Sequence, residues 1–121
     1  MSFGMVRNTI LATAAVALVG LGGCKSAFIG ATVTNETGGN ISEIEVDYPS
    51  ASFGTSTLPV GGSYQYRFEV IGSGPLKATW TDSSRKPHSS TGPSLGEGLR
   101  GTVDVRLEPD GTAVWKTGLS H

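Results

Sequence analysis

Apolar and polar residues alternate with a period of two along much of the chain after residue 27. The alternation is clearest over 64–70, and it is also present over 43–48, which reads EIEVDY, and over 103–107. Successive side chains of a β-strand point to opposite faces of the sheet, so each stretch predicts a strand with one buried and one solvated face.

Clusters of Gly, Pro, Asn and Asp separate these stretches and predict turns, because such residues preset or tolerate the backbone angles that turns need. Further extended segments are predicted at 27–34, 53–58, 76–81 and 112–117, with a short one at 88–91. No window beyond the N-terminal region shows helical periodicity. We therefore predict an all-β fold: a single antiparallel sandwich of about seven strands, immunoglobulin-like or fibronectin-like in outline.

Residues 82–101 are the least regular part of the chain and are rich in Ser, Gly and Pro. Long irregular loops on a rigid scaffold commonly carry function. We therefore expect this segment to contribute to a binding surface, with Arg85 and His88 as candidate contacts.

A short apolar run, 10–21, follows the basic residue Arg7 near the N-terminus. Twelve residues span roughly 18 Å as a helix, well short of the ~30 Å hydrocarbon core of a bilayer. The run is therefore typical of a signal peptide rather than of a permanent transmembrane helix.

The run ends in Leu21-Gly22-Gly23-Cys24, and Cys24 is the single cysteine of the chain. These four residues resemble the lipobox of bacterial lipoproteins. The resemblance implies that residues 1–23 are a helical signal peptide, cleaved between Gly23 and Cys24, and that Cys24 is lipidated with several acyl chains such as palmitate. The alternative is an ordinary secretory peptide with an incidental free thiol, which would be a liability in an oxidising compartment.

The lipoprotein resemblance also bears on location. In the enterobacterial pattern an Asp directly after the cysteine retains the protein in the inner membrane. Lys25 stands there instead, which favours the outer membrane of the cell envelope. Residues 24–27 form the lipidated N-terminus and a short tether, and 28–119 the sandwich domain. Three tether residues extend at most ~10 Å, so the domain is expected to lie against the membrane.

Composition narrows the classes of partner. Without Arg7 the mature chain has eight Lys and Arg residues against ten Asp and Glu, a balance that argues against nucleic acid as a partner. His88 and His121 are the two histidines, too few for a zinc site, so neither a metal nor another cofactor is expected. The runs 45–54 and 72–82 resemble segments of small uncharacterised bacterial envelope proteins, which implies no particular activity.

Two clusters invite a catalytic or metal-binding interpretation. Asp82, His88 and the serines around them contain the residue types of a hydrolase triad, but a mobile Ser-rich loop is the simpler reading because a triad needs an oriented base and an oxyanion hole. The carboxylates over 43–47 lie along a line about 13 Å long, whereas Ca²⁺ needs six to eight converging oxygens. We expect neither a catalytic residue nor a metal site.

The aromatic residues allow two interpretations. Tyr64, Tyr66 and Phe68 share one strand face and are expected to pack in the core, although an exposed stripe would form a platform for sugar rings. Trp80 is expected in the core. Trp115 lies on a thinner apolar face and is the more exposed of the two tryptophans.

Three functions remain open. The first is a non-catalytic binding or structural module that docks onto an envelope protein through a sheet edge or the loops. The second is a glycan-binding module for peptidoglycan or surface polysaccharide, and the third and most remote is a hydrolase. The candidate binding surface comprises Trp115, Tyr64, Tyr66, His88 and Arg85, and the membrane lipid is contacted through acylated Cys24.

Overall fold

The computed structural model describes residues 27–121, and the predicted signal peptide, its predicted cleavage site and Cys24 lie outside this range. Eight strands follow one another along the described chain. They are β1 (Phe28–Asn35), β2 (Ile41–Tyr48), β3 (Ala51–Leu58), β4 (Ser63–Glu69), β5 (Gly74–Thr81), β6 (Pro87–Leu95), β7 (Arg100–Leu107) and β8 (Ala113–Ser120). Within residues 27–121 no helix is long and apolar enough to cross a membrane.

The strands form two four-stranded sheets that pack as a sandwich, which confirms the predicted all-β fold. One sheet has the order β4-β1-β7-β8 and the other β3-β2-β5-β6. The sandwich has eight strands where about seven were predicted, and β1 pairs with β7 in parallel whereas the other strand pairs are antiparallel. The fold resembles an immunoglobulin domain in its two-sheet architecture and not in its strand pairing, because β1 is hydrogen-bonded to β4 and β7 rather than to β2.

The core lies between the two sheets and follows the alternation of the sequence. Every second residue of β1 is buried, from Ile29 to Asn35, and the same holds for 103–107 in β7. Trp80 of β5 is 2% exposed, which confirms its predicted place in the core. The apolar side chains of both sheets thus leave water together, which is the dominant favourable term in folding.

The expected long loop over 82–101 is the clearest misprediction. The short strand predicted at 88–91 is the longer, nine-residue strand β6, and the segment ends in the first residues of β7. β6 is an edge strand that pairs with β5, and the register shifts between Pro75 and Lys77. Ser, Gly and Pro have low strand propensity, and Pro is tolerated on edge strands because one row of N–H groups there faces solvent. The neighbouring strand, rather than the intrinsic preference of the segment, holds it extended.

The sandwich has two ends. At the Phe28 end, Phe28 lies opposite Glu69, Arg100 lies opposite Ser120, and the loops 70–73 and 96–99 join the two sheets. The Asn35 end carries the loops 36–40, 59–62, 82–86 and 108–112.

A network around Asn35, which is 0% exposed, holds the Asn35 end together. Its side-chain amide donates to the carbonyls of Gly39, Leu58 and Pro59 at 2.8, 3.0 and 3.1 Å. Its Oδ1 accepts hydrogen bonds from the backbone N–H and the hydroxyl of Thr37, at 3.0 and 2.7 Å. One side chain therefore joins the end of β1 to the end of β3 in the opposite sheet.

Asn35→Ala should lower the free energy of unfolding by about 2–4 kcal/mol, because three buried or part-buried hydrogen bonds to carbonyls are lost. Asn35→Asp should be at least as damaging, since a carboxylate cannot donate to those carbonyls. Equilibrium urea unfolding followed by tryptophan fluorescence measures both. Asn40→Ala is the matched control, because Asn40 makes one exposed bond to Val60. Equal losses for Asn35→Ala and Asn40→Ala would contradict the assigned role.

Candidate functional site

Five aromatic rings form a seam along the side of the sandwich where the edge strands β3 and β4 face each other. They are Tyr48, Phe53, Tyr64, Tyr66 and Phe68. Phe53 lies at the centre, with its ring centroid 4.7 Å from that of Tyr66 and 6.2 Å from that of Tyr64. The rings of Tyr48 and Phe68 stack at 4.2 Å. Stacked rings from both sheets close this side of the core.

Exposure varies along the aromatic seam, so the predicted stripe is split between core and surface. Phe53 and Phe68 are buried and Tyr64 is half-buried, whereas Tyr66 is 40% exposed. Burial, and secondarily the nearby Tyr66, raises the pKa of the Tyr48 hydroxyl. Tyr66 is therefore the most exposed ring of the aromatic seam.

The outer edge of β3 runs beside the aromatic seam and lacks the features that normally protect a sheet edge. Its sequence, ASFGTSTL, contains neither a charged residue nor a proline over eight residues. Charges on edge strands and prolines in them block pairing with another chain. The other three edges have such protection: β4 carries Arg67 and Glu69, β6 carries Pro87 and Pro93, and β8 carries Lys116.

Trp115 closes the opposite side of the sandwich, where β8 meets β6. Its indole N–H donates to the Ser90 hydroxyl at 3.0 Å. Its ring covers Gly92 so closely that a Cβ at that position would lie 2.7 Å from ring carbons. The N–H group and part of one ring face are thus used within the fold, and Trp115 lies on a different side from Tyr64 and Tyr66.

His88 and Asp82 form a hydrogen-bonded pair at the Asn35 end. The Nε2 of His88 lies 2.8 Å from Oδ2 of Asp82, and Oδ1 of Asp82 accepts backbone N–H bonds from Ser84 and Lys86. The bond to His88, followed by that to Lys86, lowers the pKa of the Asp82 carboxyl. Arg85 is exposed in this turn with a φ of 66°, a conformation that is uncommon for a residue other than glycine.

The His88–Asp82 pair opens into a cleft of about 200 Å³. The cleft is lined by Thr37, Trp80, Asp82, Ser83, Ser84, His88, Glu108, Pro109 and Gly111. The ring of His88 stacks on Trp80 with a centroid distance of 5.5 Å. Among residues 27–121 no serine hydroxyl hydrogen-bonds to the His88 ring, so the acid and base of a triad meet here without a positioned nucleophile.

The five predicted surface residues do not form one surface. Tyr64 and Tyr66 lie on one side of the sandwich, Trp115 lies on the other side, and Arg85 and His88 lie at the Asn35 end. A sheet edge was among the predicted docking elements, but the edge of β3 was not singled out. The run 51–58, which has no charge and no proline, is the sequence feature that could have indicated it. That feature identifies a binding edge only once β3 is known to be an edge strand. In the described part of the chain no group of three or more His, Cys, Asp or Glu side chains could hold a metal ion.

No protein-family model and no curated protein matches this chain. Among solved structures, the chain is similar to the NMR structure of a protein from Eubacterium rectale, with a TM-score of 0.55 and 15% sequence identity. The match covers 74% of this chain and 87% of that protein. At this identity the likeness concerns the fold alone.

The contact between Trp115 and Gly92 predicts that Gly92→Ala is destabilising by about 1–3 kcal/mol, because the added methyl group displaces the indole ring. Acrylamide should then quench tryptophan emission more strongly than in the wild type. Gly96→Ala is the matched control, since a Cβ there meets nothing within 4 Å. Urea unfolding compares the two variants, and the packing interpretation fails if they unfold alike.

Proposed function

We propose that this chain is a lipid-anchored protein of the bacterial cell envelope whose β-sandwich acts as a non-catalytic binding module for another envelope protein. The anchor rests on the lipobox-like Leu21-Gly22-Gly23-Cys24. Residues 1–23 are the signal peptide in this proposal, and Lys25 after the cysteine favours the outer membrane. The first strand begins at Phe28, four positions after the anchored residue, which agrees with a short tether.

The observation that favours a protein partner is the unprotected edge of β3. An extended segment of a partner adds to such an edge as a further strand: the backbone N–H and C=O groups give affinity, and neighbouring side chains give specificity. Tyr66 stands beside this edge, stacked on Phe53 with 40% of its surface free. An exposed aromatic ring next to free backbone groups provides both the apolar and the polar contacts of an interface.

A glycan-binding module is the alternative, since sugar rings stack on open aromatic faces. Trp115 is less suited to this role because part of its ring covers Gly92 and its N–H is bonded to Ser90. Tyr66 is the remaining platform, and its ring already stacks on Phe53. One aromatic ring with one face already covered is a poor platform for a sugar, so we favour the protein partner over the glycan.

The anchor is tested with Cys24→Ala, which removes the sulfur that the proposal acylates. The variant should accumulate as uncleaved precursor. It should also no longer partition into the detergent phase, as lipidated protein does. Lys25→Ala, which leaves the four lipobox-like residues intact, is the control and should be processed normally. If Cys24→Ala is cleaved and partitions into detergent as the wild type does, the lipoprotein assignment is wrong.

The β3 edge is tested by in-cell photo-crosslinking from a probe at Ser52, with adducts identified by mass spectrometry. A discrete protein adduct should form. Ser56→Lys should reduce it by about tenfold, because a lysine on the edge opposes strand addition. Ser94→Lys, the same change on the protected edge strand β6, should leave it unchanged. An adduct that contains sugar would favour the glycan alternative, and an adduct that is equal in both lysine variants would exclude strand addition.

A further inference from the structure

Ile71 has the largest exposed fraction, 66%, of the large apolar side chains in the described chain. It lies in the loop 70–73 between β4 and β5. The preceding residue, Val70, is 1% exposed and fixes the start of this loop in the core. Gly72 follows with a φ of 88°, and its N–H donates to Oε1 of Glu97 at 2.8 Å. The loop is therefore held on both sides of Ile71 while the Ile71 side chain projects into solvent.

This loop lies at the Phe28 end, next to the point where the chain from Cys24 reaches the sandwich. Phe28 pairs directly with Glu69, and Ile71 follows two residues later. The four steps from Cys24 to Phe28 extend at most about 14 Å. In the proposed lipoprotein, the acyl chains of Cys24 therefore hold the Ile71 loop within about one strand length of the bilayer.

We propose that the Ile71 loop inserts into the boundary between lipid headgroups and acyl chains of the membrane that anchors Cys24. This inference rests on the proposed function. One exposed isoleucine is ordinary on a protein surface, and alone it would bind a bilayer weakly. The tether changes this, because it converts insertion into an intramolecular step at high effective concentration.

The balance of charges at the Phe28 end indicates that the proposed contact with the bilayer is apolar rather than electrostatic. The guanidinium of Arg67 lies 4.3 Å from the centre of the Phe28 ring, and a terminal N–H of Arg100 donates to the backbone carbonyl of His121. Glu69 and Glu97 balance these two cations at the same end. Insertion of Ile71 should accordingly depend little on salt concentration.

Insertion would orient the sandwich. With the Phe28 end on the bilayer, the Asn35 end and its His88–Asp82 cleft face away from the membrane. The free edge of β3 then extends outward from the lipid surface, where an extended segment of an envelope protein reaches it from the side.

The test compares Ile71→Cys with Val60→Cys in the full-length lipidated protein. Val60 is a matched control, since it is an apolar loop residue that is 56% exposed but lies at the Asn35 end. Each new thiol carries a nitrobenzoxadiazole fluorophore, and the thioether at Cys24 leaves no other thiol to react. The proteins are reconstituted in vesicles of equal parts phosphatidylethanolamine and phosphatidylglycerol, with or without nitroxide-labelled lipid.

Nitroxide lipid should quench the probe at position 71 by about twofold or more, as expected for a group that enters the headgroup–acyl boundary, and should leave the probe at position 60 unchanged. Equal quenching at both positions, or none at either, in protein that floats with the vesicles would overturn the Ile71 proposal and leave the anchor intact. Failure to float, together with labelling of Cys24 itself, would overturn both.

Discussion

The sandwich depends on one buried amide. Strands of the two sheets are not paired with each other, so the sheets are held together mainly by apolar contact, which does not fix their relative position. The side chain of Asn35 does so at one end, because hydrogen bonds depend on direction. Its amide joins β1 to the end of β3 and to the loop before β2. Its backbone also accepts the N–H of Gly61 and donates to the carbonyl of Gly62. A buried polar group is costly unless it is hydrogen-bonded, and in this arrangement both side-chain polar atoms of Asn35 have partners.

Aromatic side chains close the two open sides of the sandwich in different ways. On one side Phe53 and its neighbours stack in the aromatic seam, and on the other side Trp115 lies over Gly92. No disulfide is needed to complete this core, since Cys24, the single cysteine, precedes the first strand. The closure leaves the backbone edge of β3 beside the partly exposed Tyr66, and the proposed binding function rests on this edge.

The surfaces that carry the proposals are separate in space. The Phe28 end faces the proposed anchor, the β3 edge runs along one side, and the cleft with His88 and Asp82 opens at the Asn35 end. In the proposed lipoprotein, a small domain held by the three tether residues 25–27 has little freedom to reorient. The proposed partner site lies on the side of the sandwich rather than at the end that the proposal tethers, so it stays accessible in that arrangement.

The alternation of apolar residues by itself determined the all-β class and the inward faces of β2 and β7, because a period of two has one consistent burial pattern on a strand. The place of Trp80 in the core followed from the same rule. Other features depended on tertiary structure. β6 is extended because β5 pairs with it, against the propensity of its Ser, Gly and Pro residues. Asn35 reads in sequence as the start of a turn, and its role as a link between sheets arises from Leu58 and Pro59, more than twenty positions away. The edge position of β3, and with it the candidate interface, was decided by strand order, which local periodicity does not encode because pairing partners are chosen by contacts distant in sequence.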